Sequence, residues 1–202
     1  MRDGVKLYTV IFTPDNDTEA VPILIERTPY GSQGAARLNA VVPFALKRLA
    51  GVLAFDVRHQ AGERWLEAGR ASYAEAGVRA DVRPFIEDMA EAYAWADLVI
   101  CRSGALTVSE LAVAGVAAIL VPFPHAVDDH QTSNAQYLVG ESAAVLIPDR
   151  ELTAERLASE LQRLCVGRGK LLAMAERARL LAKPRAADEL AASCLALARS
   201  AA

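Results

Sequence analysis

Ser103-Gly104-Ala105-Leu106-Thr107 sets small residues at the expected start of a helix, where backbone N–H groups lack intrahelical partners. Such a terminus attracts phosphate through those donors and through the helix dipole. Glu110 follows Thr107 by three residues, so the two can share one helix face. A carboxylate one turn behind a phosphate-binding helix start can accept two hydrogen bonds from a ribose diol. The alternative is that Ser103 and Thr107 only cap the helix and Glu110 is solvated. Gly31-Ser32-Gln33-Gly34-Ala35 is a second small-residue loop between a strand and a helix, again able to face a diphosphate, although turns need glycine anyway. Gln131 and Asn134 are spaced to put two amides on one helix face, and amides suit sugar hydroxyls because they both donate and accept. Asp128, Asp129 and His130 are adjacent and converge poorly on one ion, so an acidic pair at a helix start is the better reading than a metal site. His59 and His125 read as structural or solvent-facing. No Ser/His/Asp or Cys/His set and no Gly-x-Ser-x-Gly elbow is present. The pattern is a binding pocket without a catalyst.

These residues need a scaffold, and the hydrophobic pattern supplies one. Leu98 to Cys101 and Ala117 to Val121 are short apolar runs of the kind that form buried parallel strands, flanking a helix from Ala105 to about Ala114 closed by Gly115. Further strands are expected at 5–12, 21–25, 52–57, 79–83 and 143–147, with a loop over 28–34. Helices are expected from 35 to about 50, split at Pro43, and over 63–76, 88–96 and 131–139. A helical tail starts after Thr153, a reasonable N-cap, and breaks at Lys183-Pro184. Strands alternating with helices at this spacing predict an α/β fold, a doubly wound Rossmann-like parallel sheet. In such sheets ligands sit at the carboxyl ends of the strands.

Composition narrows the function. At 202 residues the chain suits one α/β domain, and a net charge of −3 gives no electrostatic reason to expect nucleic acid. The three cysteines are odd in number and unpaired in spacing, which suits a reduced cytoplasmic protein. No secretory signal leads the sequence, and no apolar run is long enough to span a bilayer.

Residues 31–193 resemble the donor-binding half of the MurG family, the bacterial UDP-N-acetylglucosamine transferases that complete lipid II. The similar segments are GSQGA (31–35), RHQAG (58–62), FIEDMAEAYAWADLVICRSGALTVSE (85–110), VPFPHAVDDHQTSNA (121–135) and MAERAR (174–179). The resemblance implies one half of a GT-B fold over 31–202, peripheral location at the inner face of the plasma membrane, and UDP-GlcNAc or UDP as ligand with no cofactor. It implies Ile86 at the uracil through its backbone, Ala105, Leu106 and Thr107 along the nucleotide and diphosphate, and Glu110 on the ribose. Ser32 would lie near the phosphates, and Gln131, with His130 beside it and Asn134 one turn on, would address the sugar. The family's acceptor domain and its histidine base have no counterpart in the matched segments, so the chain is expected to be inactive alone. A separate acceptor-binding domain is an expected partner, and the cleft face could drive self-association. Tyr30 stands where the family has the first of two glycines.

Residues 1–31 instead resemble the first strands of α/β-hydrolases of the cocaine esterase and α-amino-acid ester hydrolase family, in which Tyr30 of the TPY motif would serve an oxyanion hole. That family's nucleophile and its partners are missing, so no hydrolase activity is assigned. The expected organisation is an N-terminal strand or hairpin over 1–31 joined to a donor domain. A natural or engineered chimeric scaffold without ligand function is the alternative.

Overall fold

The computed structural model describes residues 20–26, 32–126 and 129–200. The strand expected at 5–12 lies outside them. Among the described residues six strands form one sheet: β1 (Val21–Glu26), β2 (Phe55–Gln60), β3 (Asp81–Arg83), β4 (Leu98–Cys101), β5 (Ala117–Leu120) and β6 (Ala144–Leu146). Their order is β3-β2-β1-β4-β5-β6, and every pairing is parallel. The direction of winding reverses between β1 and β4, which is the switch point where ligands of open α/β sheets bind. Val21–Glu26 is therefore a central strand of the sheet, bonded to β2 on one side and to β4 on the other.

Strand alternation assigns the residues to two faces. Ile23 and Ile25 of β1 point into a core shared with α1 (Ser32–Arg48), α2 (Leu66–Ala76) and α6 (Ala154–Cys165). Leu24 points the other way, against α3 (Met89–Trp95), α4 (Ala105–Ala114), α5 (His130–Val139) and Ala178 of α7 (Gly169–Leu180). β4 and β5 are buried at every position, as a parallel strand covered on both faces must be. A last helix, α8 (Ala186–Ser200), runs from the far side of the Lys183-Pro184 break.

Several local expectations are corrected. Pro43 does not split its helix: α1 is continuous through it. A proline inside a helix costs about 3 kcal/mol. Here Leu38, Val42, Ala45, Leu46 and Leu49, at most 3% exposed, anchor α1 on both sides of the proline, and each fully buried Leu or Val contributes about 1.5–3 kcal/mol. That helix begins at Ser32, so residues 32–34 are helical and not loop. The strand expected at 52–57 sits three residues later, because Val52 and Leu53 donate back to the Leu49 carbonyl and close a turn. The segment over 63–76 opens as a 3-10 turn at 63–65 before α2. The tail breaks twice, at 166–168 as well as at Pro184. Gly115 does close α4, at φ 67°, and a Cβ there would lie 3.2 Å from that of Arg179. Thr153 caps α6 by accepting from the Arg156 N–H at 3.1 Å.

His59 is structural, as the sequence suggested. It is 1% exposed, with Nε2 2.9 Å from Asn39 Oδ1 and Nδ1 2.9 Å from the Tyr73 hydroxyl. Asn39 gives its amide N–H to the Ala61 carbonyl, which leaves Oδ1 as an acceptor. The imidazole is thus neutral, protonated on Nε2, and accepts a hydrogen bond from the tyrosine O–H on Nδ1. Burial lowers its pKa from 6.5 to about 3. The unfolded chain takes up that proton first, so this contribution to stability is complete above pH 6.5 and is lost as pH falls towards about 3. The loss reaches about 1.4 kcal/mol per pH unit. Urea unfolding between pH 7.5 and 5 should show a steeper fall for the native chain than for His59→Gln, and parallel curves would contradict it.

Candidate nucleotide-sugar site

The carboxyl edge at the switch point is built by the turns after β3, β4 and β5. The β4–α4 turn is held from α5: the Ser103 hydroxyl donates to the Gln131 carbonyl at 2.8 Å, and Asn134 Nδ2 donates to the Ser103 carbonyl at 3.1 Å. Ser103 is fully buried. It braces the turn and does not cap α4, whose N-cap is Gly104 with no side-chain cap bond. The first-turn amides at Ala105, Leu106 and Thr107 are consequently left for a ligand or water. Ala105 and Leu106 are exposed, while Thr107 is 3% exposed and tucked against the sheet.

Gln131 is buried at 3% exposure, and its Oε1 accepts the Phe123 N–H at 2.9 Å. That bond fixes the amide so that Nε2 is the group left over. Asn134, which spends its Nδ2 on Ser103, has Oδ1 left over. The two side chains therefore offer one donor and one acceptor beside the start of α4, as sugar hydroxyls require. His130 is the first residue of α5 and is exposed. Asp129 before it adopts φ 50° and accepts from the Thr132 hydroxyl at 2.7 Å, while Asp128 lies outside the described residues.

Glu110 is exposed, and the Tyr93 hydroxyl donates to its Oε2 at 3.1 Å. Tyr93 is itself 6% exposed, so a buried phenol on α3 fixes one carboxylate oxygen. Ile86 lies in the turn after β3, 6% exposed, with its N–H given to Gln60 Oε1 at 2.8 Å. Ser32 is the first residue of α1, at the same edge as the end of β1. The structure thus brings 103–107, 110, 131 and 134 together around one turn, with Ile86 in the turn after β3 on the same carboxyl edge of the sheet.

Sequence patterns missed the groups that hold this arrangement. Arg102 is 2% exposed and donates to the Val121 and Pro122 carbonyls, both at 3.1 Å, and to Asp149 Oδ1 at 2.5 Å. Asp149 also meets Arg37 of α1 at 3.5 Å, and Arg37 donates to the Leu152 carbonyl at 2.9 Å. Burial pulls the Arg102 pKa below its ordinary value, opposed by the bond to Asp149. This network ties the ends of β4 and β5 to α1. The available signal was an arginine directly after a buried apolar strand, which must find a partner. Tyr93 and Gln60 gave no such signal. Among the described residues no group of three or more His, Cys, Asp or Glu side chains could hold a metal ion, and no helix is long and apolar enough to cross a membrane.

A six-stranded parallel sheet in this order is the fold of one Rossmann-like half of a GT-B glycosyltransferase. Residues 30–190 match the glycosyltransferase family 28 C-terminal domain. The chain belongs to that family. It is 57% identical over 165 residues to the UDP-N-acetylglucosamine--N-acetylmuramyl-(pentapeptide) pyrophosphoryl-undecaprenol N-acetylglucosamine transferase of Marinobacter nauticus, covering 82% of this chain and 46% of the relative. The enzyme of the same name from Azoarcus sp. is 60% identical over 168 residues, covering 83% and 47%. The chain spans about half the length of these curated relatives. The crystal structure of MurG from Acinetobacter baumannii superposes with a TM-score of 0.77 at 45% identity, covering 85% of this chain and 48% of that one. The glycotransferase of kitacinnamycin, at 18% identity and a TM-score of 0.62, shares the fold.

Proposed function

We propose that this chain is the donor half of a MurG-like transferase and binds UDP-GlcNAc at the carboxyl edge of β1, β3 and β4. The observation that carries this reading is the start of α4: uncapped by any side chain, with Glu110 one turn on and held by Tyr93. The diphosphate lies against the amides of Ala105, Leu106 and Thr107 and near Ser32. Glu110 accepts from the ribose hydroxyls, and the carbonyl of Ile86 meets the uracil, its N–H being held by Gln60. Gln131 Nε2 and Asn134 Oδ1 bond the sugar, with His130 beside them. When the bond from the sugar to the β-phosphate breaks, negative charge arriving on UDP is met by fixed amides and the helix dipole. No metal or cofactor is needed for that role.

These residues bind and orient; none of them removes a proton from an acceptor. Turnover requires an acceptor-binding half that supplies the lipid-linked acceptor and the base, and the half described here is inactive alone. Phe85 and Leu106, 64% and 74% exposed, are the apolar part of the edge that such a half, or a second copy, would cover. A cytoplasmic location, peripheral to the inner face of the plasma membrane, goes with that acceptor. Tyr93→Phe tests the site gently: freeing the Glu110 carboxylate should weaken UDP about twofold to tenfold in a calorimetric titration, since the loss of one indirect, positioning hydrogen bond is expected to cost about 0.5–1.5 kcal/mol. An unchanged affinity would remove Tyr93 from the site.

A second reading, a chimeric scaffold without ligand or catalytic function, is favoured by one observation. The family match begins at residue 30, whereas the central strand β1 lies before it, in the stretch that resembles an ester hydrolase. A folded chain that binds neither UDP nor UDP-GlcNAc would decide for it.

A further inference from the structure

The chain carries a net charge of −3, yet residues 163–185 hold seven Lys or Arg against one acidic residue, Glu176. Three of these cations line a cleft of about 410 Å³ between β6, α6 and α7, away from the candidate donor site. Arg163, Lys170 and Arg177 line it, over a floor that includes Val145, Leu164 and Met174. Arg163 is engaged by Glu160 at 2.7 Å. Lys170 and Arg177 have no carboxylate partner among the described residues. Each is steered instead by a carbonyl: Lys170 Nζ donates to Arg163 at 2.8 Å, and Arg177 leans towards Ser142 at 3.5 Å. Two uncompensated cations over an apolar floor suit a phosphate carried on an apolar stem.

The surroundings favour a bilayer over a soluble phosphate. Lys170, Ala173, Arg177 and Leu180 follow one another at helical spacing along α7. Leu180 is 85% exposed, and Val166 in the turn before α7 is 57% exposed. Cations interleaved with exposed aliphatic side chains match the headgroup layer of an anionic membrane, where the charges meet phosphates and the aliphatic groups enter the acyl boundary. The remaining cations of the segment are partly spoken for, since Arg168 pairs with Asp97 and Arg179 donates to the Val113 carbonyl.

We propose that the β6–α6–α7 cleft binds the headgroup phosphate of an anionic phospholipid, giving this domain a membrane contact of its own. The contact is independent of donor binding. It is tested by co-sedimentation of the full chain with vesicles of phosphatidylcholine, with and without phosphatidylglycerol, at low and high salt. The native chain should partition onto the phosphatidylglycerol vesicles and come off with salt. Lys170→Ala/Arg177→Ala should lower that partitioning roughly tenfold to thirtyfold, from about fivefold per cation at a membrane surface. Lys170→Arg/Arg177→Lys should retain it, and so should Arg70→Ala/Arg79→Ala at the opposite edge of the sheet. UDP affinity should not change in any of these variants, which separates this outcome from the donor reading. Equal partitioning onto both vesicle types, or of the native chain and Lys170→Ala/Arg177→Ala, would overturn the proposal. Binding of sn-glycerol 3-phosphate as tightly as the vesicles would assign the cleft to a soluble phosphate and overturn it too.

Discussion

Arg102→Ala should cost about 3–5 kcal/mol of stability, because it removes one partner of a buried ion pair and strands the other. Asp149 is 13% exposed and would keep only the longer contact to Arg37 at 3.5 Å, while the Val121 and Pro122 carbonyls would lose their donor. A domain of this size has about 5–15 kcal/mol in all, so the loss is a large share. Urea denaturation followed by circular dichroism measures it directly. Asp149→Asn, which keeps an acceptor for Arg102, should cost less. The damage also reaches the site. The 121–123 turn holds Gln131 through the Phe123 N–H, so UDP-GlcNAc should bind Arg102→Ala more weakly even where the variant is folded. A loss under about 1 kcal/mol would mean that the network is solvated and not structural.

Glu110→Ala should weaken UDP by about tenfold to a hundredfold, the value of a hydrogen-bonded charged contact to the ribose diol. The side chain is exposed and outside both core clusters, so stability should fall by no more than the hydrogen bond from Tyr93, about 0.5–1.5 kcal/mol. The specific signature is a comparison of UDP with 2′-deoxy-UDP. The native chain should prefer UDP, and Glu110→Ala should bind both alike, because the lost hydroxyl and the lost carboxylate are the two ends of one contact. An undiminished preference for UDP in the variant would move the ribose elsewhere.

Much of the fold was legible because its signals were local. The apolar runs at 98–101 and 117–120 are fully buried strands, and Gly115 and Thr153 end and start helices as their types require. Misplacements arose where tertiary packing overrides local preference. Pro43 sits inside α1 because leucines on both sides are buried, and β2 is shifted because its end, His59-Gln60, is polar yet buried by pairing with Asn39, Tyr73 and Ile86. At the site, spacing put Glu110 and Thr107 on one helix and Gln131 and Asn134 on another. It could not show that Ser103 is consumed by α5, nor that Gly104 leaves the helix start open. Arg102, Asp149 and Tyr93 lie far apart in sequence from what they hold, at 47 residues between Arg102 and Asp149 and 17 between Tyr93 and Glu110. Only folded geometry connects them.

The donor assignment turns on whether the open helix start at Gly104 takes a nucleotide sugar. Calorimetric titration of the native chain with UDP-GlcNAc addresses this without any partner. One saturable site per chain is expected, with UDP competing for it and Glu110→Ala weakening both ligands. A properly folded chain that gives no binding heat with either ligand, or one whose binding is untouched by Glu110→Ala, would contradict it.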